Sequence, residues 1–434
     1  MKETGDVIAL VVGHGMAEIA IARRLAKAMK KVYIFTEWQD GMSTINKAII
    51  GDGFEEIERV DEIWDVKDEL DLAVFPDIQH AGLQLELESQ GIAVWGSRRA
   101  DRYEWDRELF LKTLGELGMD VPEHIVITGV TNLRLFLEDK EDYYLKISKY
   151  RGSMETCHFR NWKLDASMLD SLAVRWGSVA EHMRVICFPS IKTPLEIGGD
   201  TYCIDGQFPD AMLHGIEWKD KCYLGAVTKR EDMPPQIQEI LERWGPVLGR
   251  DNYRNQFSME DRVMSDSEHY FIDATCRFGL PSTGSQLCAT KNWPDIVWYG
   301  ANGLMIQPEY GCKYTAEAMV KLHGDSDEWR EVEMDKEMLD FFVPADCCMV
   351  DGKLCWPAGE APGGSDEVGW LVAIGNSPKE TIEAMNELAD GLPDGMDANT
   401  ECLAYVLKEI HEEEEKGIEF GEQEVPEPAT VMDD

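Results

Sequence analysis

Unbroken apolar runs alternate with helical spacings through the first hundred residues. Val7–Val12 (VIALVV) has no polar position and predicts a buried strand. Gly13-His14-Gly15 follows, and then Ala17, Ile21, Leu25 and Met29 recur at helical spacing. Val32–Phe35 predicts a second strand, Leu72–Phe75 a third, Leu83–Ser89 a helix and Ile92–Trp95 a fourth strand. Strands alternating with helices at this spacing predict a doubly wound α/β domain, whose ligands bind at the carboxyl ends of its strands.

Beyond residue 100 the pattern turns to α+β. Asp106–Leu114 is apolar at helical spacing, and a strand and a second helix follow before residue 142. Tyr143–Lys146 predicts a strand, and Ile147–Thr156 a polar loop around Gly152. Arg184–Phe188 and Asp200–Asp205 predict further strands, separated by an exposed turn at Gly198-Gly199. Phe257–Val263 alternates like a strand, Ser265–Glu268 is a polar turn, and Tyr270–Asp273 is the returning strand. Near the end, Gly369–Ile374 predicts a strand and Pro378–Asp390 a helix, with Ser377 as its N-cap and Pro378 in its first position. From His411 onward ten acids and one lysine carry almost no apolar spacing, which predicts a solvated acidic tail. The fold class expected is α/β and α+β, multidomain. Residues 1–99 form the N-terminal α/β domain, 100–330 a middle region with a small lobe at about 143–206, 331–408 a small C-terminal α+β domain, and 409–434 a tail.

Charge narrows the functions. Over 434 residues, 42 basic and 83 acidic side chains leave a net charge of −41. Such a surface repels phosphate-rich polymers and anionic lipid, so neither nucleic acid nor a membrane is an expected partner. Eleven cysteines, adjacent only at Cys347-Cys348, show no CxxC and no zinc spacing. They read as reduced thiols of a cytoplasmic protein.

Five groups of residues could carry chemistry. Gly13-x-Gly15 is either a tight strand-to-helix turn or a cradle where amide N–H groups hold a phosphate or small anion. Lys146 ends a strand ahead of Lys149 and Arg151-Gly152-Ser153, so a lysine could meet phosphate oxygens while a loop covers them. The hairpin reading brings Glu260 and Asp273 onto one face. Two close carboxylates need a cation between them, and magnesium with nucleotide phosphates supplies one; otherwise they are solvated acids. Arg277 could clamp a carboxylate or phosphate, and Glu196 or Asp200 could accept hydrogen bonds from ribose hydroxyls. His14, His80, His158 and His214 show no triad spacing and receive no catalytic role.

The order of these segments resembles the ATP-grasp ligases, most closely their phosphoribosylamine–glycine ligase branch. The likeness runs through Val11–Glu18, Asp71–Gln84, Gly91–Lys112, Tyr144–Lys146, Phe271–Thr283 and Val368–Ala384, and spans about residues 7–390. It implies an ATP-grasp fold over the middle region and ATP with Mg²⁺, or Mn²⁺, as cofactors. It also implies an ADP-forming ligation: a carboxylic acid is phosphorylated by ATP, an amine attacks the acyl phosphate, and phosphate leaves. The acid would be an amino acid such as glycine, and the amine a phosphorylated ribosyl amine or a modified nucleotide. By the same resemblance Lys146 contacts the ATP phosphates, and Arg151, Gly152 and Ser153 belong to the covering loop. Val185–Ser190 borders the adenine. Glu196, with Asp200 second, meets the ribose. Glu260, Asp273 and Thr275 hold magnesium. Arg277, with Lys146 and Arg262, provides positive charge for the acyl and departing phosphates.

The sequence departs from that pattern at informative places. Thr275 stands where the family has a metal-binding asparagine, and Arg107 where it has a nucleotide-side lysine. Leu280-Pro281-Ser282 replaces an Asp-Pro-Glu. These changes leave two other readings open: a nucleotide-binding protein without ligase activity, and an acidic interaction module acting through its tail.

Overall fold

The structure is a computed structural model. It describes residues 1–415 apart from 14, 16, 37–49, 79, 149–155, 193–194, 219–220, 266–267, 324–329 and 358–365. The chain divides into two compact units: residues 1–99, 198–258 and 275–434 form unit 1, and residues 100–197 and 259–274 form unit 2.

Unit 1 opens with the predicted parallel sheet. Its spatial order is Glu58–Arg59, Lys31–Phe35, Ile8–Val12, Leu72–Val74, Ala93–Trp95. The strand order reverses beside Ile8–Val12, which places Gly13 and Gly15 at the switch point of a doubly wound sheet. Val11, Ile34 and Val74 are fully buried on this sheet, against Ile19, Ile21 and Leu25 of the helix Glu18–Ala26.

A second sheet runs Glu268–Thr275, Arg254–Ser265, Leu195–Ile204, Ala211–Trp218, Cys222–Lys229, Tyr314–Leu322, Glu367–Gly375, Phe342–Pro344. Its first three strands belong in whole or part to unit 2, and the others to unit 1. Gly198 and Gly199, expected in an exposed turn, lie inside a strand opposite Gly215 and His214. The physical reason is pairing: the neighbouring strand Ala211–Trp218 supplies their ladder partners. The strands Phe342–Pro344 and Glu367–Gly375 join this sheet, so residues 331–408 share unit 1 with the N-terminal hundred. The helix Pro378–Asp390 begins as predicted: the Glu380 N–H donates to Ser377 Oγ at 3.1 Å, and Glu380 Oε2 takes the Asn376 N–H at 3.0 Å.

Two expectations change at the C-terminal end. The helix Glu401–Glu414 runs through His411, because Cys402, Leu403, Val406 and Ile410 bury one face at helical spacing; the rest of the acidic segment, 416–434, lies outside the described residues. That helix also brings Cys402 beside Cys222, with 6.3 Å between Cα atoms across 180 residues of sequence, and the two form a disulfide. The reading of eleven reduced thiols is corrected at this pair.

Unit 2 holds a four-stranded antiparallel sheet in the order Ile125–Thr128, Arg184–Pro189, Glu141–Lys146, Thr156–Asn161. The helices Val130–Leu137 and Trp162–Trp176 cover it through Leu133, Leu137, Leu169 and Leu172, all nearly or fully buried. Unit 2 also carries the far part of the Arg254–Ser265 strand and nearly all of Glu268–Thr275. Phe110 of the helix Arg107–Glu116 packs edge-on against Phe271, with ring centres 5.4 Å apart. Among the described residues no helix is long and apolar enough to cross a membrane.

Candidate functional site

In unit 2 the strand Arg254–Ser265 alternates strictly. Met259, Asp261 and Val263 are buried, while Glu260 and Arg262 are half-buried. Period two therefore puts Glu260 and Arg262 on one face. The Arg262 guanidinium pairs with the Glu196 carboxylate of the strand Leu195–Ile204. Two residues separated by 66 positions, expected at the phosphates and at the ribose, thus meet in one ion pair.

Asp273, on the strand Glu268–Thr275, is held by Arg107. Arg107 Nη2 donates to Asp273 Oδ2 at 2.7 Å, and Nη1 donates to the Ile272 carbonyl at 3.4 Å. The Arg107 N–H donates to Ser148 Oγ at 3.2 Å. Asp106 fixes the start of this helix by taking the Leu109 N–H at 3.1 Å. The Arg107 side chain is 3 % exposed and the Asp273 side chain 21 %. The arginine is therefore desolvated, and the carboxylate is what compensates it.

Lys146 ends the strand Glu141–Lys146, opposite Thr156 and Ile186. Arg151, Gly152 and Ser153 lie outside the described residues. The donors that Glu260 and Asp273 offer are hard carboxylate oxygens, with neither sulfur nor imidazole in the predicted set. That chemistry fits magnesium, which binds one or two carboxylates and takes substrate phosphates and water for the rest. Among the described residues no group of three or more His, Cys, Asp and Glu side chains is placed to hold a metal by itself.

Unit 1 carries the other predicted residues. Thr275 is the last residue of its strand. Arg277 faces Asp77, Nε to Oδ1 at 3.5 Å, and its Nη1 donates to the Phe278 carbonyl at 2.8 Å. The Phe278 N–H donates to the Pro76 carbonyl at 3.1 Å, which ties the arginine loop to the end of the parallel sheet. Asp200 is buried. Its Oδ1 accepts from Ser258 Oγ at 2.6 Å and Ser282 Oγ at 2.8 Å, and its Oδ2 accepts from Tyr223 Oη at 2.7 Å. Burial pushes its carboxyl above the usual range, against those three donors.

Sequence reasoning did not reach the partner of this loop. Glu317, wholly buried, takes the N–H groups of Ser282 (3.0 Å) and Ser285 (2.6 Å) on Oε1. Burial lifts its carboxyl to about 7, with the Ser285 amide opposing. Ser282 is thereby gripped twice, by hydroxyl and by amide, and its φ of 99° is a conformation serine seldom adopts. The signal was present as a lone acid inside the apolar run Tyr314–Leu322 (YTAEAMVKL). A second acid was also missed: Asp346 Oδ1 accepts the Gly15 N–H at 2.9 Å.

No family model matches the chain, and no curated protein matches it. Solved structures do. Phosphoribosylamine–glycine ligase from Thermotoga maritima is similar over 90 % of this chain and 99 % of its own, with a TM-score of 0.65 at 16 % identity. The biotin carboxylase domain of a Hydrogenobacter thermophilus 2-oxoglutarate carboxylase, solved with MgADP, ADP and bicarbonate, covers 95 % and 96 %, with a TM-score of 0.63 at 11 % identity. An L-amino acid ligase from Bacillus licheniformis covers 91 % and 98 %, with a TM-score of 0.58 at 12 % identity. The chain has the ATP-grasp fold, as its sequence resemblance implied.

Proposed function

We propose that this chain is an ATP-dependent, ADP-forming carboxylate–amine ligase that works through an acyl phosphate. What supports the reading most is the set Glu196, Glu260, Arg262, Asp273 and Arg107, collected in unit 2 of an ATP-grasp fold. A carboxylate is a poor acyl donor because oxide does not leave; phosphorylation turns that oxygen into phosphate, which does. Catalysis is then largely positioning and charge neutralisation.

In this proposal Glu260 and Asp273 would hold magnesium, which neutralises triphosphate charge when bound. Lys146 takes phosphate oxygens, and Arg151, Gly152 and Ser153 belong to the loop that covers them. Arg262 orients the Glu196 carboxylate, which accepts from ribose hydroxyls. Asp200, already accepting three hydroxyls, serves as framework. Arg277 in unit 1 is the cation for the acid and its phosphorylated form. The acid is an amino acid or similar small carboxylate.

The test is direct. The purified chain with ATP, Mg²⁺ and a panel of amino acids and amines should release ADP and phosphate only when an acid and an amine are both present. Release of AMP and pyrophosphate, or nucleotide turnover indifferent to acid and amine, would overturn the reading. Glu260→Gln and Asp273→Asn should each abolish turnover in folded protein.

A further inference from the structure

Three cysteines meet at one hairpin of unit 1, away from every residue used in the ligase reading. The strands Cys348–Val350 and Lys353–Trp356 pair antiparallel, and Cys348 stands directly opposite Cys355. Asp351 and Gly352 connect them, with φ of 49° and 81°. Two successive residues in the left-handed region make the turn whose twist suits a two-residue hairpin. The turn sets the register, so Cys348 is held opposite Cys355 rather than one residue to either side. Residues facing each other in an antiparallel pair have Cα atoms about 4.5–5.5 Å apart, and a disulfide bridges about 4.4–6.8 Å. The backbone therefore already has the separation that a Cys348–Cys355 bond needs.

The two sulfurs are also in contact. They share a hydrogen bond, which together with burial raises the Cys348 thiol above its usual range. Cys355 Sγ donates as well to the Lys353 carbonyl at 3.5 Å. Both edges of the hairpin are anchored. Lys353–Trp356 pairs with Arg330–Val332 on one side. On the other, the Gly51 N–H donates to the Cys347 carbonyl at 2.9 Å, and the Met349 N–H donates to the Asp52 carbonyl at 2.8 Å. Trp356 Nε1 donates to the Ala345 carbonyl at 2.8 Å, which ties the two ends of the hairpin together. The strands thus hold the sulfurs face to face. Cys348 and Cys355 are both fully buried. A buried, protonated thiol reacts slowly, so the pair exchanges with an outside oxidant through local opening of the hairpin.

We propose that Cys348 and Cys355 are a redox-sensitive pair that closes to a disulfide under an oxidising glutathione-type disulfide. Each cysteine gives up one proton and one electron, and the Cys348–Cys355 bond forms. The sulfur–sulfur bond of the oxidant breaks, and its halves leave as two thiols. Cys347 stays reduced, because it precedes the strand Cys348–Val350 and has no register partner in the hairpin. Closed, the pair restricts the opening that would release the backbone of residues 51 and 52 from the hairpin. The proposal stands apart from the ligase reading and neither needs it nor supports it.

The test uses the full wild-type chain and needs no variant. The folded protein is incubated overnight in mildly alkaline glutathione buffers of rising oxidised-to-reduced ratio, with urea kept below the unfolding transition so that hairpins open. Remaining thiols are then alkylated and the chain is digested with trypsin. Lys353 lies between the two cysteines, so cleavage there separates them and a link joins two peptides. Fragment ions between Cys347 and Cys348 assign the sulfur that is linked. The Cys348–Cys355 link should grow with the ratio, disappear on return to reduced glutathione, and exceed any other link between free cysteines by about tenfold, since its partners are already in place. Cys347→Ala should leave it unchanged. The absence of this link under the most oxidising buffer would overturn the proposal. So would glutathione adducts on Cys348 or Cys355 in place of an internal bond, or a link carried by Cys347.

Discussion

Glu317→Gln should make the protein more stable at alkaline pH and flatten its pH dependence. Glu317 is fully buried, and burial lifts its carboxyl from 4.5 to about 7. The folded protein therefore binds this proton more tightly than the unfolded chain. Between pH 4.5 and about 7 the native state carries more protons, so this group's contribution to stability falls as pH rises through that window and is flat above it. At about 1.4 kcal/mol per tenfold in affinity, the whole effect is about 3 kcal/mol. Near its pI of about 4.5 the chain has little net charge to keep it apart, so measurement is best confined to higher pH. Between about pH 5.5 and pH 8.5 roughly 2 kcal/mol of the effect is accessible. Glutamine retains the oxygen that accepts from Ser282 and Ser285 and loses the charge. The assay is urea unfolding of both proteins across that range. Acids that do not interact with Glu317 cancel in the comparison, so the variant's stability relative to wild type should rise by about 2 kcal/mol toward alkaline pH. Parallel pH profiles, or a variant that loses ground as pH rises, would refute the assignment of a desolvated acid at this position.

Other outcomes follow from single contacts. A Cβ at Gly53, where φ is 80°, would stand 1.9 Å from the Met349 carbonyl oxygen, so Gly53→Ala should cost more than about 2 kcal/mol in urea unfolding. Arg107→Met removes a 3 % exposed guanidinium from Asp273 and should cost about 3 kcal/mol, read the same way. Arg107→Lys should recover only part of it, because an ammonium does not reproduce the donors to both Asp273 and Ile272.

Local grammar was largely legible. The parallel strands, the hairpin that carries Glu260 and Asp273, and the capped helix Pro378–Asp390 all follow from periodicity and end signals over a few residues. The order of segments carried the ATP-grasp resemblance, which the solved structures bear out at the level of fold. Where local grammar misled, a distant partner outweighed it. Gly198-Gly199 looks like a turn and is a strand, because the neighbouring strand supplies ladder partners at Gly215 and His214. His411 begins an acidic stretch, yet the helix continues to Glu414 since apolar residues before it bury one face.

The amino-acid order alone determined which stretches become strand or helix and which side chains could bear charge at a ligand. It did so because hydrophobic spacing and capping act within a turn or two of chain. Tertiary structure decided the pairings: Asp346 on Gly15, Arg107 on Asp273, Arg262 on Glu196, Glu317 on the Ser282 loop, and Cys222 with Cys402. Each joins residues far apart in sequence. Their meeting depends on how sheets and helices pack, and one carboxylate among 83 acidic side chains carries no local mark of which amide or guanidinium it will face.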